Sequence, residues 1–70
     1  MSAYHNAFQN GIGLEADFSA DKKLVRYEGI PMYISIGGKG LDDHEKELLA
    51  RRIAASLNAT AGKPLLLLEA

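Results

Sequence analysis

Residues 41–64, with the sequence LDDHEKELLARRIAASLNATAGKP, decide the fold because they carry signals for both ends of a helix. Asp42 is a favourable N-cap, and the glutamate three residues later completes a capping box. Gly62 suits a left-handed C-terminal cap, and Pro64 follows it as a stop signal. Together these residues predict one helix over residues 42–61.

The predicted helix is amphipathic, because its apolar residues recur at helical intervals. The expected apolar stripe is Leu49, Ile53 and Leu57, with Leu48 on one edge and Ala50, Ala54 and Ala61 on the other. The expected polar face is His44, Glu47, Arg51 and Asn58. Since alanine is small, the alanine edge would let a second backbone approach closely, either the sheet or a symmetry-related helix.

Three short strands are predicted before the helix, from alternating apolar and polar residues. The strands are expected at residues 12–18, 23–28 and 32–36, and the turns between them at residues 19–22 and 28–31. In the second strand Val25 and Tyr27 should face the core, while Arg26 lies on the open face. In the third strand Tyr33 should lie on the open face, opposite Ile34.

The predicted fold class is therefore α+β: a three-stranded antiparallel sheet followed by one C-terminal amphipathic helix and an apolar tail. A chain of 70 residues is long enough for one small domain. Its expected parts are a loosely ordered arm (1–11), a β-meander (12–36), the helix (42–61) and the tail (63–70).

The tail contains four successive leucines, Leu65–Leu68, with no period. They cannot all face inward from an element that is buried on one side, so some must meet another surface. Two interpretations stay open. The tail is a fourth strand or an apolar plug across the sheet edge, or it contacts a second copy or a target protein.

Composition excludes several function classes. The net charge is −1 and is balanced along the chain, without the cationic cluster that non-specific nucleic-acid binding requires. Cysteine is absent, so disulfides and thiolate metal sites are absent too. The His, Ser and Gly residues form no catalytic, metal or phosphate-binding motif, so we expect no enzyme, no cofactor and no metal. No apolar run is long enough to span a membrane, and a cytoplasmic location is expected.

Small size points to an interaction partner. A chain near 60 residues buries only about 60% of the surface that its unfolded form exposes. Without disulfide or metal, such domains often complete their cores by oligomerisation. We therefore expect a homodimer, or a monomer that binds another protein. The predicted contact residues are Arg26, Tyr27, Tyr33, Leu66 and Leu68, since aromatic, arginine and exposed apolar side chains dominate interface energetics.

Residues 49–62 resemble a helix of small uncharacterised bacteriophage and prophage proteins, with the form Ala-Arg-x-Ile-x-x-x-x-Asn-Ala-x-x-Gly. The resemblance implies an accessory protein that binds and blocks a host protein complex, of anti-CRISPR or other anti-defence type. It supplies no functional residue. A small nucleic-acid-binding regulator and a structural self-assembly unit are the alternative functions.

Overall fold

The computed structural model describes residues 5–11, 18–27 and 31–70. Its elements in chain order are α1 (His5–Asn10), β1 (Phe18–Asp21), β2 (Leu24–Tyr27), β3 (Met32–Ser35), α2 (Asp43–Ala59) and α3 (Leu65–Glu69). The three strands form one antiparallel sheet in the order β1-β2-β3. The predicted α+β class, with a meander followed by an amphipathic helix, is confirmed, and two short helices are added to it.

The first hairpin is tighter than the sequence predicts. β1 continues through Asp21, which pairs with Leu24, and only Lys22 and Lys23 form the turn. A positive φ of 55° at Lys22 suits the right-handed twist of the strands. The predicted turn over residues 19–22 is wrong, because pairing with β2 overrides the turn propensity of serine and aspartate. The rest of the predicted first strand, residues 12–17, lies outside the described residues.

The core lies between α2 and one face of the sheet, at β1 and β2. Its buried side chains are Phe18, Val25, Ile36, Ala50 and Ala54, with Tyr27, Ile53 and Leu57 packed against them. Val25 and Tyr27 therefore take the predicted side of β2. Burial of Val25 is nearly complete, at 1% exposure.

The alanine edge of α2 faces the sheet together with Ile53 and Leu57 of the predicted stripe, whereas Leu49 does not. Ala50 is 0% and Ala54 is 5% exposed, whereas Leu49 is 39% and Leu48 is 46% exposed. The prediction that Leu49 belongs to the buried stripe is wrong, while Ile53 and Leu57 do pack against the core. Small side chains let the helix backbone approach the sheet closely, and this approach moves the neighbouring leucines to the flank.

Asn58 connects the C-terminal part of α2 to β1 through two hydrogen bonds. The Phe18 N–H donates to Asn58 Oδ1 at 2.9 Å, and Asn58 Nδ2 donates to the Phe18 carbonyl at 2.8 Å. The side-chain amide thus satisfies both backbone groups of one residue, as a neighbouring strand would. The helical period predicts Asn58 on the polar face of the helix. This is wrong, because the helix turns this side chain towards the edge of the sheet.

The N-terminus of α2 has the predicted capping box. The Glu45 N–H donates to Asp42 Oδ1 at 2.8 Å, and the Asp42 N–H donates to Glu45 Oε1 at 3.1 Å. At the other end the helix stops at Ala59, two residues before the predicted end, with Thr60 as the C-cap. The Thr60 hydroxyl donates to the Ser56 carbonyl at 3.1 Å, which satisfies a terminal carbonyl.

Removal of this N-cap should lower stability measurably. We expect Asp42→Ala to reduce the free energy of unfolding by about 1 kcal/mol, because it leaves the Glu45 N–H without its partner. Urea denaturation followed by circular dichroism measures the loss. Asp43→Ala is the matched control, since Asp43 adds negative charge to the same turn but is not the cap. An equal loss in both variants would contradict the capping contribution.

The tail forms a helix, so the fourth strand is ruled out. Leu67 and Leu68 donate their N–H groups to the Pro64 carbonyl at 3.1 and 3.3 Å. Proline tolerates the start of a helix, and leucine is a good helix former. Residues 5–10 are also helical where the sequence predicts a loosely ordered arm. α1 and α3 pack against each other, and each provides the other with a surface.

Candidate protein-binding surfaces

Among the described residues, Leu66 of α3 is the most exposed large apolar side chain. Leu66 is 82% and Leu67 is 62% exposed, while Leu65 and Leu68 are each 46% exposed. Leu65 and Leu68 line a pocket of about 230 Å³ together with Phe8, Phe18 and Leu57. The four leucines therefore divide into a pair that faces the rest of the chain and a pair that faces away. We call Leu66 and Leu67 the leucine ridge.

Two glycines, Gly11 and Gly62, are in close backbone contact where α1 meets the segment that leads into α3. Gly11 follows α1 with φ +109°, and Gly62 lies between α2 and α3 with φ +78°. A Cβ atom on Gly11 would lie 2.6 Å from the carbonyl carbon of Gly62, which is too close for any side chain. The two backbones thus touch, and this contact fixes where α1 meets the segment that leads into α3.

The structure separates the five predicted contact residues into three places. Arg26 and Tyr33 are paired neighbours of β2 and β3 on the open face of the sheet, and Tyr33 is 65% exposed. Tyr27 lies on the opposite, core-facing side, with its ring centroid 4.7 Å from that of Phe18. The third place is α3, where Leu66 faces away from the chain and Leu68 lines the pocket.

An exposed ion pair restrains Arg26 on the open face. Its Nε lies 3.4 Å from Asp21 Oδ2, and both side chains are more than half exposed. Such pairs contribute about 0–1 kcal/mol to stability. Arg26 is therefore available to a partner at little cost, and Tyr33 beside it supplies an exposed aromatic ring.

The outer flank of α2 carries a shallow, exposed apolar surface that the helical period did not predict. It is lined by Leu41, Leu48 and Leu49 together with Glu45 and Arg52. The signal was present in the sequence. Leucines on more than one side of a single helix exceed what a small sheet can cover, but the periodicity does not show which of them stays uncovered.

Charged groups at the hairpin are mixed in sign. Lys22 and Lys23 face Asp43 and Glu47 across a cleft of about 340 Å³. Opposite charges in one cleft cancel much of the field that a polyanion would need. Within residues 5–11, 18–27 and 31–70, no three His, Asp or Glu side chains form a group that could hold a metal ion.

None of the helices described above is long and apolar enough to cross a membrane. Comparison of the chain with known protein families, with curated proteins and with solved structures finds no match. The resemblance of residues 49–62 to phage proteins therefore stays a prediction.

Proposed function

We propose that this protein is a non-enzymatic protein-binding module that uses the leucine ridge, Leu66 and Leu67, as its main contact. The observation that carries the proposal is the exposure of these adjacent leucines, 82% and 62%. Single exposed apolar residues are ordinary, but a contiguous apolar patch marks an interaction site. Burial of one leucine on a partner contributes about 1.5–3 kcal/mol.

A protein partner fits this surface better than a nucleic acid does. The ridge is apolar, and the lysines of the hairpin face acidic side chains across the cleft described above. The narrower proposal is that the partner is a host complex and that binding inhibits it by occlusion. This rests on the resemblance of residues 49–62 to phage accessory helices. Self-association as a homodimer is part of the proposal.

The leucine ridge can be tested with one charge. We expect Leu66→Asp to reduce partner recovery at least about tenfold in quantitative affinity purification, since a carboxylate cannot be buried against an apolar surface without a counter-charge. The fold should be retained, because Leu66 is 82% exposed. Thermal unfolding by circular dichroism checks this.

Ala55→Asp is the matched control, because it introduces the same charge at an exposed position of α2. It should recover the same proteins as the unaltered chain. If Leu66→Asp recovers every protein that the control recovers, the ridge is not the contact. If DNA or RNA is captured instead, in amounts that fall steeply with salt, the nucleic-acid alternative replaces the proposal.

A further inference from the structure

The two edges of the sheet differ in what occupies them. At the edge of β1, the Asn58 side chain takes both backbone groups of Phe18. At the edge of β3, no residue within the described ranges hydrogen-bonds to the outward backbone groups of Tyr33 and Ser35. One edge is therefore closed at Phe18, and the other is available for strand pairing.

The direction of these groups follows from the ladder. The Ile36 N–H donates to the Lys23 carbonyl at 2.9 Å, so these two residues form a hydrogen-bonded pair. In an antiparallel ladder such pairs alternate. Ile34 therefore bonds inward to β2, and the backbone groups of Tyr33 and Ser35 point away from it.

The β3 edge also lacks charge. Residues 31–38 read PMYISIGG and contain no charged side chain. Natural proteins commonly guard free edges with lysine, inward charges, bulges or proline. Here Pro31 guards only the start of the strand, and the edge beyond it is uncharged.

We infer that a second copy of this chain pairs antiparallel with β3, with the two copies of Ile34 facing each other across a two-fold axis. In this register Tyr33 of one copy lies opposite Ser35 of the other, and they exchange both backbone hydrogen bonds. Ile34 is 37% exposed although it shares the face of Val25, because α2 packs on β1 and β2 and leaves β3 uncovered. Pairing covers this side chain.

A second copy is an occupant that matches this uncharged edge. An uncharged strand meets itself without the like-charge repulsion that discriminates against wrong partners. A two-fold contact is also closed, whereas a head-to-tail contact would extend. Since Asn58 occupies the other edge at Phe18, pairing at β3 gives a single six-stranded sheet. This inference rests on the proposed self-association and is independent of the leucine ridge.

Opposite charges at the axis test the register. We expect the unaltered chain to sediment at twice its mass of 7.6 kDa. Ile34→Lys and Ile34→Glu should each weaken self-association at least about tenfold, because each places like charges together on the axis. An equimolar mixture of the two variants should recover the doubled mass, since lysine then faces glutamate. Circular dichroism of each variant checks the fold.

Ser35→Pro provides a second variant if charge at position 34 disturbs the hairpin. It removes an outward N–H and leaves the ladder to β2 intact, so it should give a folded monomer. Leu66→Asp should keep the doubled mass, which separates this surface from the leucine ridge. The inference is overturned if the unaltered chain is monomeric, if both charged variants stay dimeric, or if mixing does not restore the dimer. If the Ile34→Lys and Ile34→Glu variants both remain dimeric, the chain self-associates through a surface other than β3.

Discussion

Ala50→Leu should reduce the free energy of unfolding by about 1–3 kcal/mol, the range found when extra methylenes are forced into a packed core. Ala50 is 0% exposed where the backbone of α2 comes close to the sheet. A leucine there must displace either the helix or the side chains of the buried cluster to which Ala50 belongs. Total stability of a domain this small is limited, so the loss should be visible as a large drop in the thermal midpoint.

The same helix offers a matched control. Ala55→Leu adds the same atoms at an exposed position of α2, and we expect a change within about 0.5 kcal/mol. Leu49→Ala is a second comparison. Because Leu49 is 39% exposed, this truncation should lower the free energy of unfolding less than truncation of a buried leucine would. If Leu49→Ala proves more damaging than Ala50→Leu, then the leucine stripe is the buried face after all.

Asn58→Asp should destabilise the fold by about 1–3 kcal/mol, although it is nearly isosteric. The carboxylate can still accept from the Phe18 N–H. It cannot donate to the Phe18 carbonyl, which lies 2.8 Å from the present amide nitrogen, and it places negative charge against that oxygen. Chemical denaturation at neutral pH, compared with the unaltered chain, measures the loss.

Asn58→Ala helps to separate the two hydrogen bonds from the charge. It removes both bonds and leaves the Phe18 backbone to water, while alanine itself favours a helix by about 0.7 kcal/mol. We therefore expect a smaller net loss than for Asn58→Asp. Arg51→Ala, at an exposed position of the same helix, should change little. Equal stability of all three variants would mean that Asn58 does not fasten α2 to β1.

Local signals predicted the fold where local chemistry determines it. The capping box at Asp42 and Glu45 involves residues three apart, so the start of α2 could be read from the sequence. The alternation of β2 gave the correct sides for Val25 and Arg26 for the same reason. The end of the chain was harder, because four leucines without a period suit either a strand or a helix, and the contact with α1 is not visible locally.

The orientation of α2 could not be predicted from periodicity alone. The helical period gives the direction of the apolar stripe. Which residues of α2 lie nearest the sheet depends on how closely the backbones of the helix and the strands can approach each other. That distance favoured Ala50 and Ala54 over Leu49. Asn58 presents a similar limit, since its partner Phe18 lies 40 residues away along the chain.

The candidate surfaces were predicted in part. The run of four successive leucines indicated that some of the leucines of α3 contact another surface. The alternation of the third strand placed Tyr33 on the open face. The split between outward Leu66 and pocket-lining Leu68 depends on helical geometry that the run does not reveal. The uncovered face of β3 depends on which strands α2 covers, which is a property of the packed molecule.

The contact between Gly11 and Gly62 has an evolutionary consequence. Any descendant or ancestor of this chain that keeps α1 in its place must keep glycine at position 11, and a residue that tolerates left-handed φ at position 62. A larger residue at position 11 would therefore be accompanied by a displacement of α1 from the segment that leads into α3.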